Sequence, residues 1–198
     1  MRTLQEAAHE ASACTKCRLA GGRTQVVYGT GNADADLMFI GEGPGYYEDK
    51  QGEPFVGAAG QLLNRMLEEI GVRRADVRIT NVILCRPPGN RDPMPDEVET
   101  CTPWLREQIE LVDPRVIVTL GNFATRFMLD KPISISRVRG QRFPLERRTI
   151  IPTFHPAAIL RGGGEASTQM AALRSDFQEI KRALAEVPEP VEEQLGLF

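Results

Sequence analysis

Four short runs of apolar and β-branched residues recur along the chain: "DLMFIG" around Leu37 to Ile40, "VRITNVIL" from Val77, "RVIVTLG" from Arg115 and "TIIPTF" from Thr149. Each reads as a strand, and helical stretches separate most of them. Strands that alternate with helices pair in parallel, because parallel neighbours need long crossover connections. The alternation predicts an α/β fold with a mainly parallel sheet covered on both faces. In such sheets ligands gather beyond the carboxyl ends of the strands. That rule selects the loops after Ile40, after Ile79 to Val82 and after Phe154.

The intervening helices carry their own signals. "AAGQLLNRMLEEIG" spaces Leu62, Leu63, Met66, Leu67 and Ile70 on one helical face and stops at Gly71. In "PDEVETCTPWLREQIELVDP" the pair Asp96 and Glu99 has capping-box spacing, and Pro103 predicts a break followed by a fresh start at Thr102-Pro103. A last helix is expected from about Thr168 to Glu186. With 198 residues, one domain over residues 1–186 followed by a Pro/Glu-rich tail, 187–198, accounts for the chain. The sequence shows neither a leader nor an apolar run near the roughly 20 residues that a membrane helix needs. The expectation is a soluble, cytoplasmic monomer without membrane attachment.

Charge is unevenly placed. The formal net charge of −3 leaves residues 1–185 one unit positive once the acids Glu186, Glu189, Glu192 and Glu193 are set aside. Within that body "RVRGQRFPLERR" holds Arg137, Arg139, Arg142, Arg147 and Arg148 against Glu146. Such a strip suits a polyanion or a solvated hairpin.

Cys14 and Cys17 form a C-x2-C pair, and Cys85 and Cys101 lie far downstream. In a reducing compartment metal binding outranks disulfides. Four thiolates suit a closed zinc site or a cubane 4Fe-4S cluster, and spacing alone leans to zinc. In either case all four thiols serve as ligands, and the metal holds the N-terminal segment against the sheet domain.

The loop "GEGPGYYEDKQGEPFVGAAGQLL" lacks the lysine of a phosphate-binding loop and the spacing of a dinucleotide fingerprint. Its bare backbone lets a flat ring approach closely, and Phe55 either stacks on that ring or fills the core. Asn81 interrupts an apolar strand. Buried, a carboxamide must be hydrogen-bonded; it braces a loop or matches the O4 and N3–H edge of uracil, whose pattern cytosine reverses. His155 follows a strand in "TFHPAAILRGGG", ahead of the aliphatic pair Ile159 and Leu160 and of Arg161. A histidine facing a flipped base, with an apolar wedge filling the vacated stack, is what base extrusion requires.

Taken together, "CTKC", the glycine loop, "ITNVILCRPPGNRDPMPDE", "VRG" at Val138 and "FHPAAILR" resemble the family 4, iron-sulfur uracil-DNA glycosylases. The resemblance implies a four-stranded parallel sheet in a three-layer α/β/α sandwich. It also implies a 4Fe-4S cluster on Cys14, Cys17, Cys85 and Cys101, and uracil-containing DNA as substrate. The implied uracil pocket comprises Gly41, Glu42, Gly43, Phe55, Asn81 and His155. Glu42 and His155 are the catalytic pair, with Glu48 as the reserve carboxylate. Ile159, Leu160, Arg161 and Arg139 are the expected DNA contacts. The closing "QLGLF" resembles the pentapeptide by which bacterial replication proteins enter the sliding clamp, which makes Gln194, Leu195, Leu197 and Phe198 the expected clamp contacts. An iron-sulfur electron carrier and an inactive clamp-tethered DNA-binding module are the rival readings.

Overall fold

A computed structural model describes residues 2–186. The tail expectation, including the clamp contacts, lies outside the described residues.

The chain opens with helix α1 (Leu4–Ser12) and a two-residue strand β1 (Thr30–Gly31), then β2 (Leu37–Gly41) and the helices α2 (Tyr46–Gln51) and α3 (Ala58–Glu69). Strand β3 (Arg78–Asn81), helix α4 (Pro95–Val112), strand β4 (Val116–Leu120) and helices α5 (Gly121–Leu129) and α6 (Ile135–Val138) follow. The hairpin of β5 (Phe143–Leu145) and β6 (Arg148–Thr153) leads to α7 (Pro156–Arg161) and α8 (Thr168–Ala185).

The sheet order is β1-β3-β2-β4-β6-β5. Its inner four strands are parallel and are the four that the apolar runs predict. The sheet has six strands rather than four, because β1 and β5 add antiparallel edges. Side chains alternate between two cores as the pleat requires. Leu37 and Phe39 join Leu63, Met66 and Phe177 on one face, where α3 and α8 pack; Met38 and Ile40 join Leu105, Ile109 and Ala124 on the other, under α4 and α5. A third apolar cluster, with Ala7, Ala11 and Trp104, seats α1 on α4.

Helix α4 runs unbroken through Pro103, against the expected break. Proline inside a helix removes one hydrogen bond and costs about 3 kcal/mol. Here the residue lies on the exposed face, while Trp104, Leu105, Gln108 and Ile109 are buried and carry the helix past it. The start of α4 also falls two residues earlier than expected: Glu97, not Glu99, reaches back, its carboxylate accepting from the Met94 N–H at 2.8 Å.

Candidate active site

All four parallel strands end at one cleft of about 2120 Å³, part of it open to solvent, whose lining includes Glu42, Gly43, Glu48, Phe55, Asn81, Gly121, Phe154 and His155. After β2 the chain adds β3 on one side and returns to add β4 on the other, so the cleft lies at the switch point of the sheet. Gly41 ends β2 with its α-carbon against Phe55 and Asn81. A β-carbon there would stand 2.9 Å from two Phe55 ring carbons and would strike the Asn81 carboxamide oxygen. Only glycine lets these two side chains approach the strand end. Phe55 itself has φ 54°, in the left-handed region that non-glycine residues avoid at a cost of roughly 1–3 kcal/mol. Its ring stacks against His155, with centroids 5.5 Å apart and planes 30° from parallel. Phe55 thus lies between the end of β2 and the imidazole.

His155 sits at the start of α7, where its Nδ1 accepts a hydrogen bond from the Ala157 N–H at 3.1 Å. An accepting Nδ1 leaves the proton on Nε2, which is then a donor. Burial, and secondarily the positive charge of Arg161, lower its pKa to about 4. The imidazole is therefore neutral at pH 7. Asn81 is buried, and among the described residues no hydrogen bond ties up its carboxamide. Glu42 is half-buried; burial first and the neighbouring Asp92 second raise its pKa above the ordinary carboxylate range. Glu48 is committed to its own loop, where it accepts from the Val56 N–H at 3.2 Å.

The family model of the uracil DNA glycosylase superfamily matches residues 28–181. The chain belongs to this superfamily. A type-4 uracil-DNA glycosylase of Archaeoglobus fulgidus is 48% identical over 168 residues, covering 81% of this chain and 84% of the relative. One from Thermotoga maritima is 52% identical over 150 residues, 75% of this chain and 78% of the relative. Another, from Sulfurisphaera tokodaii, is 43% identical over 197 residues, 95% of this chain and 87% of the relative.

The site of this superfamily member also includes residues that the loop rule passed over. Leu120, Gly121 and Asn122 line the cleft from the end of β4. Gly121 has φ +88°, and a β-carbon there would stand 3.0 Å from the His155 β-carbon. The signal was present, since "VTLGN" is a strand end like the other three. Arg91, Asp92 and Arg126 line the cleft as well.

Of the expected DNA contacts, Leu160 is exposed, and Arg161 is exposed and lines the cleft. Ile159 has no exposure and belongs to the core below α3, so the wedge narrows to Leu160. Arg139 is spent internally: it pairs with the buried Asp176, donates to the Ala172 carbonyl at 2.6 Å and lies over the Phe154 ring at 5.7 Å. The rest of the arginine strip is likewise engaged. Arg142 pairs with Glu179 and Glu186 at 2.6 Å each, Arg147 with Asp113 at 2.7 Å, and Arg148 with Glu146 at 2.8 Å. Among the described residues Arg137 alone of the five makes no such pair.

A second, narrow pocket is lined by Cys14, Cys17, Cys85 and Cys101 with Ala11, Val26, Leu84 and Trp104 around them. All four thiols are free, so no disulfide forms among the described residues. The Leu84 N–H donates to the Cys101 sulfur at 3.4 Å, and Arg23 donates to the Cys85 sulfur at 3.5 Å. Donors aimed at sulfur suit a metal-bound thiolate. Burial pushes the Cys101 thiol up to about 12 and the Cys85 thiol in the same direction. Nevertheless, no three His, Cys, Asp or Glu side chains among the described residues converge closely enough for a single ion.

Proposed function

We propose that the chain is a DNA-repair glycosylase that takes uracil out of the base stack and hydrolyses its N-glycosidic bond, releasing free uracil and leaving an abasic site. The observation that carries this reading is the convergence of Asn81, Phe55 and a neutral, Nε2-protonated His155 on one cleft. Phe55 offers the face of the flipped base a stacking partner. The Asn81 carboxamide donates to O4 and accepts from N3–H, which cytosine cannot match.

The reaction breaks the bond between C1′ of the sugar and N1 of the base, and the electron pair leaves with the base as a uracil anion. The Nε2–H of His155 donates to the anion's oxygen as charge develops. A single fixed donor of this kind is worth about 3–4 kcal/mol in the transition state. Glu42 faces the sugar cation from the same cleft and orients the water whose oxygen adds to C1′, with that water's proton passing to the carboxylate or to solvent. Glu48, held within its loop, positions the chain that carries Phe55.

The four thiols fit a 4Fe-4S cluster better than zinc. A tetrahedral zinc site with Zn–S bonds near 2.3 Å holds its sulfurs roughly 3.8 Å apart. Thiols that share one cavity without single-ion convergence suit a larger, multi-iron group. Bound there, the cluster supplies structural cross-linking between the α1 end, the β3 exit and α4. The folded part of the chain serves as a monomer in the cytoplasm, and no described helix is long and apolar enough to cross a membrane. The tail residues Gln194, Leu195, Leu197 and Phe198 tether the enzyme to the sliding clamp.

The test is incubation of the freshly purified protein with matched uracil-containing and uracil-free oligonucleotides. Free uracil from the first strand only is the expected result; no release from either overturns the reading. Iron and sulfide content, with visible absorption, distinguishes the cluster from zinc.

A further inference from the structure

Large exposed apolar side chains are scarce among the described residues, and they are not scattered. Tyr46, Tyr47, Met94 and Leu160 are the four, exposed by 49%, 63%, 38% and 38%. Each adjoins a residue of the cleft wall or follows one closely: Gly45 precedes Tyr46, Pro93 precedes Met94 and Arg161 follows Leu160. None of the four lines the cleft itself, but each is within two positions of a residue that does.

The two tyrosines differ from the rest of the group as a paired aromatic step, with two cations over the Tyr46 ring and Tyr47 packed on its edge. Arg86 lies over the Tyr46 ring at 5.1 Å from its centroid, and the Lys50 ammonium at 5.8 Å. Tyr47 meets Tyr46 edge-on, at 5.4 Å and 85°. Arg86 is itself oriented, donating to the Asn90 carboxamide oxygen at 2.6 Å, and both Asn90 and the adjoining Pro87 line the cleft. Tyr46 is thereby packed between cations and its neighbour, and Tyr47 stands out with a largely open ring.

An exposed aromatic face flanked by Arg and Lys fits an unpaired base and its phosphates. A duplex neighbour is already stacked and has no face to offer; an unpaired one has. Resting on the glycosylase reading, we infer that Tyr47, braced by Tyr46, Arg86 and Lys50, is a stacking platform for the unpaired base next to the extruded uracil. It makes single-stranded or locally melted DNA the favoured substrate. The charge complementarity of Arg86 and Lys50 to phosphate and the continuity of the platform with the cleft wall select the DNA strand as occupant.

Two measurements on the full-length protein test this. Fluorescence anisotropy with a uracil-free single-stranded oligonucleotide reads binding without catalysis. Tyr47→Ala should weaken it about tenfold, within the range of one base–aromatic stack, and Tyr47→Phe should keep it. In excision assays on a uracil-containing single strand, Tyr47→Ala should raise KM by a similar factor with kcat within about twofold, and the same uracil in a fully paired duplex should show a smaller change. Single-strand affinity of Tyr47→Ala within about twofold of the parent, or equal loss on single strand and duplex, overturns the platform and leaves a protein partner as the occupant of this surface. The anisotropy result stands even where the parent releases no uracil, so failure of the platform and failure of the glycosylase reading are told apart.

Discussion

The cleft at the carboxyl ends of the strands and the arginine-rich region of the β5–β6 hairpin are built from similar polar residues and treat them in opposite ways. In the hairpin region Arg139, Arg142, Arg147 and Arg148 each find a carboxylate, and Asp176 is buried with both Arg139 and Thr153 upon it. In the cleft the Asn81 carboxamide has no partner among the described residues, His155 is stripped of charge, Glu42 is held above its ordinary pKa and Phe55 is kept in a strained conformation. Ion-paired groups give stability, even where the buried Arg148 Nε keeps no partner of its own. Groups stripped of charge or held in strain, at a place where water can be displaced, are suited to chemistry. Local arginine density is thus a poor guide to free positive charge, because most of this strip is paired with carboxylates.

The largest effect that sharpens this contrast is expected from His155→Ala. Loss of the anion donor should lower kcat for uracil release by 10²- to 10³-fold, or about 3–4 kcal/mol. The lost cap at Ala157 should cost only about 1 kcal/mol, seen as a few degrees in melting temperature. The hairpin region should behave in reverse. Arg139→Ala leaves Asp176 buried without its cation and should remove about 3 kcal/mol of stability in denaturant titration, with the excision rate per folded molecule changed less than tenfold. A stable but inactive Arg139→Ala protein would break the comparison.

A smaller effect concerns pH. The His155 pKa is about 4 in the folded chain against an ordinary value of 6.5, so the unfolded chain binds more protons in between. Stability from this group is complete above pH 6.5 and declines as pH falls toward 4, and His155→Ala should flatten that part of a denaturation-midpoint profile. Excision should show no inflection near pH 6.5. Its acid limb should appear above pH 4.5, where the raised Glu42 takes up its proton, and should move in Glu42→Gln. The smallest effect is expected from deleting residues 194–198, which should leave excision from a short oligonucleotide unchanged while abolishing clamp pull-down.

The four parallel strands were legible because a strand buried on both faces must be apolar throughout, and "LMFI" or "VIVTL" admits few other readings. The edge strands were not. β1 has two residues, and β5 carries Pro144 and pairs only along one side. Pro103 misled because its penalty is local, whereas the burial of Trp104 and Ile109 that outweighs it comes from tertiary packing. In the site, Gly41, Phe55, Asn81 and His155 were legible because each departs from what a strand or core position wants. The fate of Arg139 was not, since Asp176 lies 37 residues away and nothing local announces the pairing. Ile159 and Leu160 are adjacent on a six-residue helix, too short for periodicity to tell the inward residue from the outward one.

Phe55 in a loop, Asn81 at the end of β3 and His155 at the start of α7 are spread across a hundred positions of the chain, and the strand that precedes the imidazole is the last of the parallel four to be made. A nascent chain that has emerged only as far as Arg115 carries Asn81 and Phe55 but neither His155 nor the strand that precedes it. A piece that ends before β6 therefore lacks a complete cleft wall, and the cleft is complete only once β6 and His155 have joined the sheet.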